Sequence, residues 1–192
     1  MYKKILQVPV IVGEGEEQFF VEKDITVAPP SPPVYMVEEI KKWVEVYSKK
    51  VICDKVIFNA YLWKNIVYKT VEHVHDETVN GPVYHSTLKI PFGGFVKIKH
   101  FDGEEVKEGD KAELLEAFVE GERDHWHDES CIQGITVYNK LLEKTVVKLK
   151  FKVTRIEHVP VKIECDPEPP KPPCPPCPCP EPPKPPKPPF CD

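Results

Sequence analysis

The chain has 192 residues, a formal net charge of −5 and a sequence pI near 5.8. Gripping a phosphate backbone calls for clustered Lys and Arg. Here Lys is scattered and Arg occurs only at Arg123 and Arg155, which argues against nucleic acid as a partner. No stretch approaches the roughly 20 apolar residues that a membrane span requires. The apolar run after Lys3-Lys4 breaks at Gly13-Glu14-Gly15-Glu16-Glu17, too early for a secretory signal. Synthesis and first folding in a cytosol are therefore expected.

Proline divides the chain. Fifteen of the 23 prolines fall within residues 167–192, a segment that cannot bury a core. The expected organisation is one domain over residues 1–165 and a Pro/Cys-rich arm over 166–192. What precedes the arm is long enough for a stable single domain.

The N-terminal segments Lys3–Val12 and Gln18–Val27 read as a hairpin about Gly13-Glu14-Gly15. The break Pro29-Pro30-Ser31-Pro32-Pro33 follows, so residues 1–28 are candidates for exchange between subunits. Val37–Lys42 has the makings of a helix start, but Val44, Val46, Val51 and Ile52 favour strand. Val51–Thr70, dense in β-branched and aromatic residues, predicts a long strand or a hairpin. Leu88–Lys99 predicts a strand with a bulge or sharp bend at Pro91-Phe92-Gly93-Gly94. Lys111–Gly121 has helix-forming composition but also alternates, and its neighbours need a partner in the sheet, so strand is preferred. Lys144–Arg155 is the cleanest strand: Val147, Leu149, Phe151 and Val153 alternate with Lys148, Lys150, Lys152 and Thr154. The fold class is mainly β, an antiparallel sandwich or barrel, followed by an extended polyproline II arm.

Four stretches carry a family resemblance. Ile5–Gln18, Lys55–Tyr68 (Lys-Val-Ile-Phe-Asn-Ala-Tyr-Leu-Trp-Lys-Asn-Ile-Val-Tyr), Ile90–Ile98 (Ile-Pro-Phe-Gly-Gly-Phe-Val-Lys-Ile) and Lys144–Thr154 are similar, in that order, to segments of the SPOCS domain family of endospore-forming bacteria. The resemblance implies a β-rich module of the spore coat and related envelope layers, acting through protein–protein contacts and without catalytic residues. It implies synthesis in the mother-cell cytoplasm and a final place in the coat, the exosporium or a surface appendage. The sequence departs from better-known members in showing no peptidoglycan-binding repeat and in ending with the arm.

From Glu168 the arm repeats X-Pro-Pro, with Cys174 and Cys177 in the X register and Cys179 where the spacing slips. Polyproline II has three residues per turn and rises about 3.1 Å per residue, so X residues form one stripe. Cys174 and Cys177 would then lie about 9 Å apart, beyond the ~7 Å Cα limit for a disulfide. Facing arms would pair without bending, which makes Cys165, Cys174, Cys177, Cys179 and Cys191 candidates for crosslinks between subunits after oxidation. The alternatives are a spacer with free thiols and a metal half-site. The seven cysteines are an odd number, so at least one lacks an intrachain partner.

His125 and His127, with Cys131 nearby, put two imidazoles on one face of a strand. His73 and His75 repeat the spacing, and His85 is expected across a hairpin from them. Together they would make a zinc or copper site; the blander reading is two solvated pairs beside the turns Asp76-Glu77 and Asp128-Glu129. No nucleophile motif such as Gly-x-Ser-x-Gly occurs, so no enzyme and no cofactor are expected. The expectation is a self-assembling structural subunit that forms a homo-oligomer or polymer with other spore envelope proteins. An adaptor that recruits coat proteins without polymerising is the alternative, and a metal-binding protein a third.

Overall fold

The computed structural model describes residues 2–101, 103 and 105–163. The arm and its candidate crosslinking residues Cys165, Cys174, Cys177, Cys179 and Cys191 lie outside the described residues. Leu6–Val159 form the larger of two compact units. Among the described residues no helix is long and apolar enough to cross a membrane.

Among the described residues, nine strands build an all-β fold: β1 (Tyr2–Thr26), β2 (Met36–Ile52), β3 (Lys55–Lys69), β4 (His73–His75), β5 (Thr78–Asn80), β6 (Val83–Lys97), β7 (Lys99–His100), β8 (Lys111–Ile132) and β9 (Ile135–Ile163). One sheet has the order β7-β1-β9-β8, a second the order β2-β3-β6, and β4-β5 make a small hairpin. The β2–β3, β3–β6 and β8–β9 pairs are antiparallel. Ion pairs Lys150–Glu14, Lys148–Glu16 and Lys144–Glu22 run in opposite senses along β9 and β1, which makes that pair antiparallel too.

The two sheets close on one apolar core. Val56, Phe58, Ala60 and Leu62 of β3 meet Val147, Leu149, Phe151 and Val153 of β9, with Val12 and Val21 of β1 beside them. At its centre Phe58 packs edge-on to Phe19 at 4.8 Å and to Phe92 at 5.9 Å. A second, smaller cluster holds Val27, Val34, Ile66, Tyr68 and Leu141. Such a sandwich follows from strands that alternate apolar and polar side chains, each with one face to bury.

Between the two clusters the inward register turns polar. Lys64 follows Leu62 and precedes Ile66 on β3, and Glu143 and Thr145 separate Leu141 from Val147 on β9. Lys64 and Glu143 have no exposed side-chain surface and pair directly. Nζ of Lys64 also lies 2.6 Å from both carboxylate oxygens of Asp124 on β8. Every charge here has a partner, as a low-dielectric interior demands.

Two sequence expectations are corrected. Residues 3–27 are not a hairpin: β1 runs unbroken through Gly13-Glu14-Gly15. Those glycines serve close approach, because a Cβ on Gly13 would stand 2.4 Å from the Lys99 carbonyl oxygen and one on Gly15 2.0 Å from that of Lys97. Gly13 pairs with His100 and Glu14 with Lys99. Nor does β6 bulge or bend at Pro91-Phe92-Gly93-Gly94, since its register with β3 is continuous from Lys55↔Lys97 to Lys69↔Val83. Proline fits because β6 is an edge strand, and Gly94 leaves room for the Phe19 ring.

Val37–Lys42 and Lys111–Gly121, both ambiguous in sequence, are strand. Val51–Thr70 divides at a tight turn where Cys53 takes φ 49°. The Pro29–Pro33 segment stays against its own domain: Val27 and Ala28 both donate to the Asn139 carbonyl, and Val34 bridges Tyr138. β1 thus fills the slot between β7 and β9 of its own chain.

Candidate functional site: an aromatic contact face

The two outer faces of the sandwich differ in chemistry. On the β7-β1-β9-β8 sheet, lysines of β9 stand between acidic side chains on either side. Lys144, Lys148 and Lys150 pair with Glu22, Glu16 and Glu14 of β1, while Lys152 and Lys140 pair with Glu113 and Asp128 of β8. This is a solvated charge ladder, and each exposed pair contributes little stability.

The outer face of β2-β3-β6 is aromatic. Trp43 lies directly across from Trp63, and the rings stack at 5.7 Å with planes 6° apart. Tyr47 stacks on Tyr61 at 4.4 Å, and Tyr61 meets Trp63 edge-on at 6.2 Å. Tyr47 keeps the outward phase of Trp43 and Glu45, and a bulge between Val46 and Ser48 leaves it as the extra residue beside Tyr61. The Lys89 ammonium lies 3.8 Å from the Tyr61 centroid and 5.0 Å from that of Trp63, a cation–π contact closing the row from β6. Trp63 Nε1 donates to Glu45 at 2.7 Å, so the indole's polar edge is satisfied.

This row stays open to solvent. Trp43 is 47% and Tyr47 52% exposed, and Ile57 and Phe95 continue the apolar surface along the same face. Local desolvation beside Tyr61 pushes the Tyr47 hydroxyl up in pKa, with Tyr61 adding to the shift and Lys89 opposing it, so it stays protonated. Large exposed aromatic patches mark contact sites, and Trp and Tyr are the side chains that dominate interface energetics. A surface hollow of about 650 Å³ between Tyr47–Val51 and Glu108–Ala112 is open to solvent.

The histidines are spread out. His125 and His127 are neighbours on β8, with rings nearly parallel at 6.2 Å, and His127 Nε2 lies 2.9 Å from Asp24 Oδ1. His73 and His75 lie on β4, whose partner is β5, and His85 lies opposite Val67 on β3. The expected placement of His85 across from His73 and His75 is not found. Cys131 and Cys53 are exposed free thiols. Among the described residues, the one group of three potential metal ligands is Glu122, Asp124 and Glu143, a set without histidine or cysteine. Its centre is taken by the Lys64 ammonium.

Sequence reasoning missed both the aromatic row and the buried cluster. The signal for the row was Trp43, Glu45 and Tyr47 alternating with Val44 and Val46. For the cluster it was Lys64 in the phase of Phe58, Ala60, Leu62 and Ile66.

Fold and face together define a β-sandwich with one aromatic outer face. Residues 33–122 match the family model of the SipL, SPOCS domain, so that stretch is similar to a SPOCS domain. The match contains all of β2, β3 and β6 and therefore the whole aromatic row, along with the first half of β8. Two of the four resembling stretches, Lys55–Tyr68 and Ile90–Ile98, fall inside it; Ile5–Gln18 and Lys144–Thr154 fall outside. The family connects the chain with sporulation. No curated protein and no solved structure matches the chain.

Proposed function

We propose that this protein is a self-assembling structural subunit of a spore coat, exosporium or spore-surface fibre, made in the mother-cell cytoplasm and without catalytic activity. Its partners are copies of itself and other spore envelope proteins. The observation that carries this reading is the exposed aromatic row Trp43–Trp63–Tyr61–Tyr47, set on the SPOCS segment and opposite a face of solvated ion pairs. Apposed copies would bury that row, while the charged face would stay in water.

The arm supplies the second element of the proposal. Cys165, Cys174, Cys177, Cys179 and Cys191 crosslink neighbouring subunits once the surrounding cell opens and oxidising conditions reach them. Exchange of residues 1–28 between copies would use the β7–β9 slot, filled from a neighbour; a chain lacking them that still assembles rules this out.

The test is size-exclusion chromatography and electron microscopy of the purified full chain, with and without reductant. Large particles under oxidising conditions, reduced in size by dithiothreitol, are expected. A stable monomer under both conditions overturns the reading in favour of the adaptor, for which the same aromatic row would hold a different coat protein.

A further inference from the structure

The buried charge cluster has more order than neutralisation requires. Lys64 of β3 reaches across the sandwich to Asp124 of β8 and Glu143 of β9. Glu143 bonds in turn to Asp124 and accepts from the Thr145 hydroxyl. Glu122 faces the same ammonium at 3.4 Å and is itself held by Lys42. An amine, a carboxyl group and a second carboxyl group touching both are thus assembled with the amine and the second carboxyl wholly sealed from water. Asp124 retains 14% exposure, which leaves an exit on its side.

We propose that Lys64 and Asp124 condense spontaneously into an intramolecular isopeptide bond, with Glu143 as the proton-transfer group. Nζ is equidistant from the two Asp124 oxygens at 2.6 Å, which puts the carboxyl carbon within about 3 Å, and a turn of the carboxyl group about Cβ–Cγ presents its face to the nitrogen for attack. Intramolecular reactions so arranged reach effective molarities on the order of 10⁵ M or more. The product also replaces an ammonium and a carboxylate, both costly to keep in a low-dielectric interior, with a neutral amide.

The steps balance without any co-reactant. One proton passes from the Lys64 ammonium to the Asp124 carboxylate, giving a neutral amine and a neutral acid. The amine lone pair attacks Cγ of Asp124, forming the C–N bond, while protonated Glu143 gives its proton to the oxygen that becomes the leaving group. The C–O bond breaks and water departs. The surplus proton on nitrogen returns to Glu143, which ends as it began. Burial raises the Glu143 carboxyl above the usual carboxylate range, and the Asp124 hydrogen bond adds to this against the pull of Lys64 and Thr145. Burial pulls Lys64 down, but its bonds to Asp124 and Glu143 outweigh that and keep the resting amine protonated. The internal proton transfer is therefore the uphill step that precedes attack.

The inference is independent of any assembly role, and Asp124 and Glu143 lie beyond the SPOCS match. The test is mass spectrometry of the purified full chain, reduced and alkylated so that cysteine oxidation does not register. The expected result is an intact mass lower by one water and a branched peptide joining the Lys64 and Asp124 segments. Asp124→Ala and Glu143→Gln are expected at their full masses. An unaltered wild-type mass overturns the proposal whether or not the variants fold. A water loss mapped to Asp102-Gly103 (a sequence prone to cyclise), or to Lys64 joined to Glu143, overturns it equally.

Discussion

Gly94 on β6 and Phe19 on β1 share one volume: a Cβ on Gly94 would lie 2.6 Å from Cε1 of the Phe19 ring. That ring packs edge-on to Phe58 at the middle of the core, so it has little freedom to withdraw. Gly94→Ala is expected to cost about 1–3 kcal/mol through overpacking. Gly121→Ala, with nothing within 4 Å of the new methyl group, should change stability by no more than about 1 kcal/mol. Urea denaturation of the two variants makes the comparison.

The aromatic row should matter more for association than for folding. Trp43→Ala and Tyr47→Ala each remove one stacked ring from the surface, costing the monomer about 0.5–1.5 kcal/mol. Light scattering in reductant, where only non-covalent contacts act, should show wild-type association and a monomeric double variant. Unchanged association by the double variant would place the contact elsewhere.

Asp110 is held by a bidentate bond to Arg155, with Nε to Oδ1 and a terminal nitrogen to Oδ2 both at 2.8 Å. Burial pushes its carboxyl up, but Arg155 together with the Lys107 backbone N–H holds it below the usual range. A depressed carboxyl gives stability that is present above its unfolded value, about pH 3.9, and fades as pH falls through the folded one. Asp110→Asn should therefore cost about 1–3 kcal/mol at neutral pH. The gap from wild type should close on acidification, as followed by urea denaturation at a series of pH values.

Compared with the uncondensed chain, Lys64→Met would strand Glu143 beside Asp124 without its ammonium partner, while Glu122 keeps Lys42. Removing one partner of a buried pair typically costs about 3–5 kcal/mol. Glu143 already sits above its ordinary range through burial, and loss of the ammonium moves it further up. A raised carboxyl destabilises the fold as pH climbs above its unfolded value, about 4.3. The variant should thus be weakest at neutral and alkaline pH and regain stability on mild acidification. Thermal unfolding across that range shows the direction.

Much of the fold was legible because alternation is a local signal. Val147, Leu149, Phe151 and Val153 announced β9, and over Lys111–Gly121, where alternation competed with a helix-forming composition, the neighbours' need for a sheet partner decided for strand. The glycines misled because sequence shows that a glycine is present but not why. Gly13 and Gly15 looked like a turn and are instead places where Lys97 and Lys99 carbonyls approach. Lys64 and Glu143 were illegible for a different reason: their 79 residues of separation carry no local mark of contact. The aromatic row needed strand register, since Trp43 and Trp63 become neighbours only once β2 turns back at Cys53.

The unlike faces of the sandwich set a limit on what one surface can build. A patch that pairs with its own copy does so about a two-fold axis and is used up at two subunits. The Trp43–Trp63 row alone therefore yields a closed pair, with the β9 lysine ladders of both copies turned outward. Growth into a fibre or layer needs a second contact of a different kind and symmetry. On this count the number of ways a subunit can be held, more than the strength of any single hold, separates a soluble dimer from a spore-surface material.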